Sequence, residues 1–286
     1  MTIPRKTLSN GYSLPVLGLG TWQMGDDPDR DVAAIRAAIE AGLTHLDTAE
    51  VYGDGQAETL IAQAIEGLDR SSLQIVSKVS PRHFAAADLR RSLESSLDRL
   101  KTDYLDTYLL HRPNDDIPLE ETLGAMDHAV DEGLVKHVGV SNFNISQLQA
   151  AQALSKHPIV QNQVHYNLRF REPEHRGLIE YCAANDVLFE AWSPLKKLWS
   201  AEPPAIVTEL GEKYGKAPFQ LALNWLISQP AVVTIVKTSS SEHLQENLGA
   251  IGWELDAADI ERLRAEFPDQ QDVSDLVPLD DEETAA

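Results

Sequence analysis

Asp47, Tyr52, Lys78 and His111 are four side chains that could together put a proton on a carbonyl oxygen. A phenol titrates near pH 10 and is a poor acid at neutral pH. An adjacent ammonium favours the phenolate and lowers that value, and a carboxylate keeps the ammonium charged and in place. The tuned phenol can then protonate a carbonyl oxygen as hydride reaches the carbon. An imidazole nearby can hydrogen-bond the same oxygen and orient it. Singly, each residue has an ordinary explanation: Asp47 as a turn cap, Tyr52 as a loop aromatic, Lys78 as a surface lysine, His111 as the end of a strand. Their chemistry depends on being brought together, and the chain's periodicity says how.

The chain begins as a hairpin, Lys6–Leu8 and Ser13–Leu14, around Asn10-Gly11, a pair that suggests a type I′ turn. Strand-like runs then alternate with helical ones. Strands are expected at 16–19, 44–47, 73–78, 104–110, 135–140, 159–164, 187–191 and 232–236. Helices are expected at 31–41, 57–66, 86–100, 119–131, 145–154, 174–184, 204–214, 218–228, 243–250 and 257–266. Repeated βα units imply parallel strands with right-handed crossovers. Eight in unbroken order predict a closed α/β architecture, a (β/α)8 TIM barrel preceded by a β-hairpin. Catalytic groups of such barrels sit at the C-terminal ends of strands. Asp47 ends the second strand with Tyr52 just beyond, Lys78 ends the third, and His111 follows the fourth. Leu17-Gly18-Leu19-Gly20 lacks a third glycine and an immediate helix, so it reads as a strand end, not a phosphate loop.

Composition narrows the partners. The 286 residues suit one barrel domain, 1–286, with an acidic, mobile tail from about 269 to 286. The formal net charge of −21 repels nucleic acid and anionic lipid, so neither is expected. An anionic cofactor would need its own local positive charge. No membrane helix and no secretory leader is visible. Cys182, the only cysteine, is expected to be buried and inert, consistent with the cytoplasm. His45, His83, His128, His137, His157 and His175 lack metal spacing and are expected to be solvated or structural; His165 suits either pocket or packing; no metal site is expected. A monomer is expected.

The motifs around these residues carry a resemblance. Leu46-Asp47-Thr48-Ala49-Glu50-Val51-Tyr52-Gly53, the segment Leu100 to Pro113, and Gly133 to Phe143 resemble the signatures of the aldo-keto reductase superfamily, including its compact diketogulonate-reductase-like members. Val236-Lys237-Thr238-Ser239 with Glu246-Asn247 is similar to its cofactor-phosphate segment. The resemblance implies an NADP-dependent oxidoreductase that reduces an aldehyde or ketone to an alcohol, with NADPH as cofactor and NADH possible. It implies Tyr52 as general acid, Lys78 and Asp47 as its tuners, and His111 as the group that orients the substrate. Ser141, Asn142 and Gln163 would hold the nicotinamide carboxamide and Trp192 would stack on its ring. Ser193 and Leu195 would lie along the pyrophosphate, Lys237, Thr238 and Ser239 at the 2′-phosphate, and Asn247 at the adenine. Trp22 would line the substrate pocket.

One position departs from that pattern. His243 stands where the family often has an arginine, and histidine offers neither a permanent charge nor a bidentate fork. Short loops and a short C-terminal segment suggest an open pocket for small aldehydes or dicarbonyls. A different class of function, a catalytically weak cofactor-binding regulator on the same barrel, would predict damage to the four residues above. All four are intact.

Overall fold

The structure, a computed structural model, describes residues 2–238 and 240–279. Eight parallel strands close into a barrel: β3 (Leu17–Gly20), β4 (His45–Asp47), β5 (Gln74–Val79), β6 (Leu105–Leu110), β7 (Val135–Ser141), β8 (Ile159–His165), β9 (Leu188–Trp192) and β10 (Val232–Val236), which pairs back to β3. Helices fill the crossovers: α1 (Pro28–Glu40), α2 (Gln56–Ala64), α3 (Ala86–Leu100), α4 (Leu119–Asp131) and α5 (Ile145–Leu154), then α6 (Glu172–His175) and α7 (Leu178–Ala184). They are followed by α8 (Ala205–Tyr214), α9 (Pro218–Ser228), α10 (Ser241–Leu248) and α11 (Ala257–Glu266). The expected (β/α)8 barrel is what the chain forms.

Local chemistry explains where the elements depart from expectation. Helix α1 starts at Pro28, because the Asp27 side chain caps it and proline suits the first turn. The helix expected over 174–184 breaks at Gly177, whose φ of +71° starts α7 anew. The hairpin of β1 (Arg5–Thr7) and β2 (Ser13–Pro15) is present, but its turn is not type I′. Only Gly11 has positive φ, and the Gly11 amide donates to Leu8 O while the Leu8 amide donates to Tyr12 O. That is a type I turn closed by a left-handed glycine, which spares Asn10 the strained conformation.

The hairpin covers the N-terminal end of the barrel. Leu8, Tyr12 and Leu14 pack with Val160, Leu188 and Val233. At the other end, the segment after α11 crosses the rim. The Gln271 amide donates to Arg169 O, the Ser274 and Leu279 amides donate to the buried Glu172 carboxylate, and Leu279 is buried. The segment expected to be mobile is therefore tied down as far as Leu279; residues 280–286 lie outside the described residues. Among the described residues no helix is long and apolar enough to cross a membrane, and no His, Cys, Asp and Glu cluster could hold a metal.

Candidate active site

The C-terminal ends of the strands surround a cavity of about 560 Å³, within the usual range for small-molecule sites. Ten of the expected site residues line it: Trp22, Asp47, Tyr52, His111, Ser141, Asn142, Gln163, Trp192, Ser193 and Lys237. Lys78 lies beneath, fully buried, and all three of its ammonium protons are used. Nζ donates to Asp47 Oδ1 at 2.6 Å, Thr48 O at 2.9 Å and Tyr52 Oη at 3.3 Å. The Tyr52 ring meets Trp22 edge-on at 5.3 Å and His111 edge-on at 5.7 Å. Trp22 is 52% exposed, so an indole stands at the mouth with solvent access.

The electrostatics correct one expectation. Lys78 does favour the Tyr52 phenolate, but burial opposes it more strongly, and Asp47 adds to the opposition, so the phenol is held above its ordinary value. Tyr52 is thus a phenol at neutral pH, the form a proton donor must start from. Lys78 itself is raised: burial pulls it down, but Asp47 and Tyr52 outweigh that and keep it an ammonium. His111 is pushed down to about 3 by burial, with Lys78 and Arg112 adding to the effect. It is a neutral imidazole at pH 7.

Behind the expected four lies a polar layer that motif reading did not reach. Glu190, fully buried, receives His45 Nε2 at 2.6 Å and Gln161 Nε2 at 2.6 Å, and Gln163 Nε2 as well. Gln163 Nε2 also reaches Asp47 Oδ1 at 2.7 Å. Gln161 in turn accepts from Tyr12 Oη at 2.8 Å. A hydrogen-bonded chain therefore runs from the hairpin, through the barrel, to Tyr52. Burial disfavours a charged His45, but Glu190 outweighs it and raises the imidazole above its usual range; in return His45 helps hold the Glu190 carboxyl low against burial. Burial raises the Asp47 carboxyl, with Glu190 adding to it and Lys78 opposing; when both carboxyls are ionised, Lys78 and His45 match them in charge. A barrel interior could not hold the carboxylates otherwise. Gly18 on β3 makes room, since a Cβ there would lie 2.2 Å from His45 Cδ2.

A signal for this layer existed in the sequence. Alternate residues of a strand share a face. His45 stands two before Asp47, Gln161 two before Gln163, and Glu190 two before Trp192, so each inherits its neighbour's inward direction.

On the other side of the mouth, β7, β8 and β9 supply amide and aromatic groups. Ser141 Oγ donates to Gln163 O at 2.8 Å, Asn142 Nδ2 donates to Ser141 Oγ and His111 O, and Trp192 Nε1 donates to Asn142 Oδ1 at 3.0 Å. Asn142 and Ser193 adopt left-handed φ of 62° and 55°, a cost that clusters at binding sites. One face of Trp192 is taken by His165, stacked at 4.5 Å. His165 is buried, bonded to Ser274 Oγ and pushed down to about 4 by burial, so it packs and does not face ligand.

Leu195, Thr238, His243 and Asn247 are not among the residues that line the cavity. Leu195 is half-buried against the core. Thr238 is buried and donates to Ser240 O. His243 is exposed on the first turn of α10, and Asn247 is buried further along it. Lys237 Nζ donates to Gln23 O at 2.7 Å, tying the loop after β10 to the loop after β3. Ser239 lies outside the described residues.

Residues 16–266 match the model of the aldo/keto reductase family. The chain belongs to that family. It is 36% identical over 268 residues to methylglyoxal reductase YeaE of Escherichia coli (strain K12), covering 91% of this chain and 93% of that one. A crystal structure of a thermostable aldo-keto reductase with the inhibitor epalrestat superposes with a TM-score of 0.89 at 44% identity, over 92% of this chain and 99% of that one. An aldo/keto reductase from Klebsiella pneumoniae, solved with NADP and acetate, superposes at 0.83 with 36% identity over 94% and 97% of the two chains. The chemistry of this aldo-keto reductase is accordingly NADP-dependent carbonyl reduction. The regulator alternative draws no support, since these relatives are named as reductases and Asp47, Tyr52 and Lys78 are intact and mutually bonded.

Proposed function

We propose that this aldo-keto reductase is a carbonyl reductase of the alcohol dehydrogenase type, acting on small aldehydes and ketones with Tyr52 as general acid. The observation that carries this reading is the Lys78 ammonium, buried and shared between Asp47 and Tyr52 Oη at the floor of a cavity also walled by His111. When bound, the reduced nicotinamide supplies hydride to the carbonyl carbon. The chain supplies the rest. The Tyr52 phenol donates its proton to the carbonyl oxygen as negative charge develops there. Lys78, held by Asp47, steadies the phenolate left behind until solvent reprotonates it. Neutral His111 hydrogen-bonds the carbonyl oxygen and sets its direction.

The cavity's donor set fits the cofactor. Asn142, Ser141 and Gln163 line the cavity with amide and hydroxyl groups, the kind that pair with a carboxamide, which supports assigning them to it, and Trp192, also lining the cavity, is assigned to the nicotinamide ring. Ser193 and Leu195 follow β9 toward the pyrophosphate. Lys237, Thr238 and Ser239 precede the N-terminus of α10, a favourable place for a phosphate. Asn247 is assigned to the adenine, and Trp22 to the substrate. We place this single-domain enzyme in the cytoplasm as a monomer, on its lone buried cysteine and its acidity.

The test is the loss of nicotinamide absorbance with methylglyoxal and NADPH. Turnover that collapses in Tyr52→Phe is expected. Tight NADPH binding with no turnover of any carbonyl would overturn the reading.

A further inference from the structure

The chain holds 24 Lys and Arg against 45 Asp and Glu, yet its active-site cavity inverts that ratio. Among the described residues Arg82, Arg112, Lys196 and Lys237 line it, against the single carboxylate of Asp47, which Lys78 already neutralises. Most cationic side chains here are engaged. Among the described residues only Arg82, Lys101, Arg112 and Lys196 make neither an ion pair nor a side-chain hydrogen bond, and three of these four line the cavity.

Position divides the four cations into two groups. Lys196 follows β9 and Lys237 follows β10, on the side assigned above to the cofactor's phosphates. Arg82 sits in the turn after β5 and Arg112 follows His111 after β6. In the closed ring, β5 lies opposite β9, and β6 opposite β10. The arginines therefore stand across the mouth from the cofactor side, beside Pro81 and His111. A guanidinium fork matches an oxyanion bidentately. On a protein this acidic, a local positive field is what would admit an anionic ligand.

We infer that the substrate carries an anionic oxyacid group, a carboxylate or a phosphate, and that Arg82 and Arg112 bind it while its carbonyl lies at Tyr52 and His111. This rests on the reductase reading and names its substrate class. Arg112 is near enough to His111 to help keep the imidazole neutral, so the anion would lie within reach of the reacting carbonyl.

Matched pairs test it, with NADPH saturating: succinic semialdehyde against butanal, and glyceraldehyde 3-phosphate against glyceraldehyde. For at least one pair the charged member is expected to have the higher kcat/KM in the intact enzyme, with a KM that rises with salt. In Arg82→Gln/Arg112→Gln the charged-to-neutral ratio is expected to fall roughly 10- to 100-fold, mainly through KM. The pair that responds distinguishes carboxylate from phosphate. A charged member no better than its neutral partner in the intact enzyme would overturn the inference without any variant. So would a ratio that both substitutions leave in place, or an NADPH Kd that rises as much as the substrate KM, which would assign the arginines to the cofactor. No turnover of any of the four carbonyls would instead count against the reductase reading itself.

Discussion

The floor and the rim of this active site are built on opposite principles. At the floor, Asp47, Lys78, Glu190 and His45 are all buried, and each is fixed by partners from other strands. At the rim, Lys237, Lys196, Arg82, Arg112 and His243 are exposed and make few bonds or none. Charges with no solvent must be balanced by the fold itself, so the floor is preorganised before any ligand arrives. Charges in water cost little to leave open, so the rim can wait for a phosphate or a carboxylate. The proton-transfer machinery thereby shares its stability with the barrel, and the recognition groups do not.

If that division is right, substitutions at the floor should damage both folding and catalysis, and those at the rim binding alone. The largest effect is expected for Lys78→Met. Asp47 would be left buried beside Glu190, at a cost of about 3–5 kcal/mol in unfolding free energy by denaturant titration. Tyr52→Phe separates the two properties: kcat should fall by about 10²- to 10⁴-fold with a stability loss of only about 1–3 kcal/mol, because the hydroxyl that carries the proton is removed and Lys78 keeps its bonds to Asp47 and Thr48. A Tyr52→Phe enzyme retaining a tenth of its kcat would remove Tyr52 from its role.

Glu190→Gln should cost about 1–3 kcal/mol and make the pH dependence of stability the diagnostic. His45 is raised in the fold, so its contribution is fully present below the ordinary histidine value and is lost as pH rises through the raised one. Glu190 is lowered, so its contribution holds above the ordinary carboxyl value and is lost as pH falls through the lowered one. The Tm of the intact protein should therefore fall on the alkaline side of neutrality more than that of Glu190→Gln. Parallel Tm curves would mean that the pair is not charged.

At the rim, Lys237→Met is expected to weaken NADPH binding roughly 10- to 100-fold, read by fluorescence titration, with Tm almost unmoved. His243→Arg should tighten NADPH roughly 2- to 5-fold and leave NADH as it was, since an exposed guanidinium adds a modest pair to the 2′-phosphate. The smallest expected effect is none. His111 is pushed down to about 3, so the pH profile of kcat/KM should show no step near the ordinary histidine value. Such a step, absent in His111→Gln, would show a charged imidazole at the floor.

Most of the barrel was legible from the chain alone. Period-2 runs alternating with period-3.6 runs allow few other architectures, and strand ends place Asp47, Tyr52, Lys78 and His111 on one rim. Local backbone rules settled less. Asn10-Gly11 was compatible with two hairpin turns, and Gly177 with either tolerance or a break. The acidic segment after α11 looked solvated because its anchors, Arg169 and Glu172, are about a hundred residues away.

What the sequence determined by itself was the identity and order of the groups that could do the chemistry, because residue type and strand periodicity are local properties. What only the tertiary structure decided was their electrostatic state. Whether Lys78 lowers Tyr52 or burial raises it depends on how much water the barrel excludes. Whether His45 is a bystander or a counter-ion depends on Glu190, 145 residues away and 2.6 Å distant across the barrel. Charge interactions act through space, and across a closed barrel a side chain can meet a partner from a strand far away in the chain.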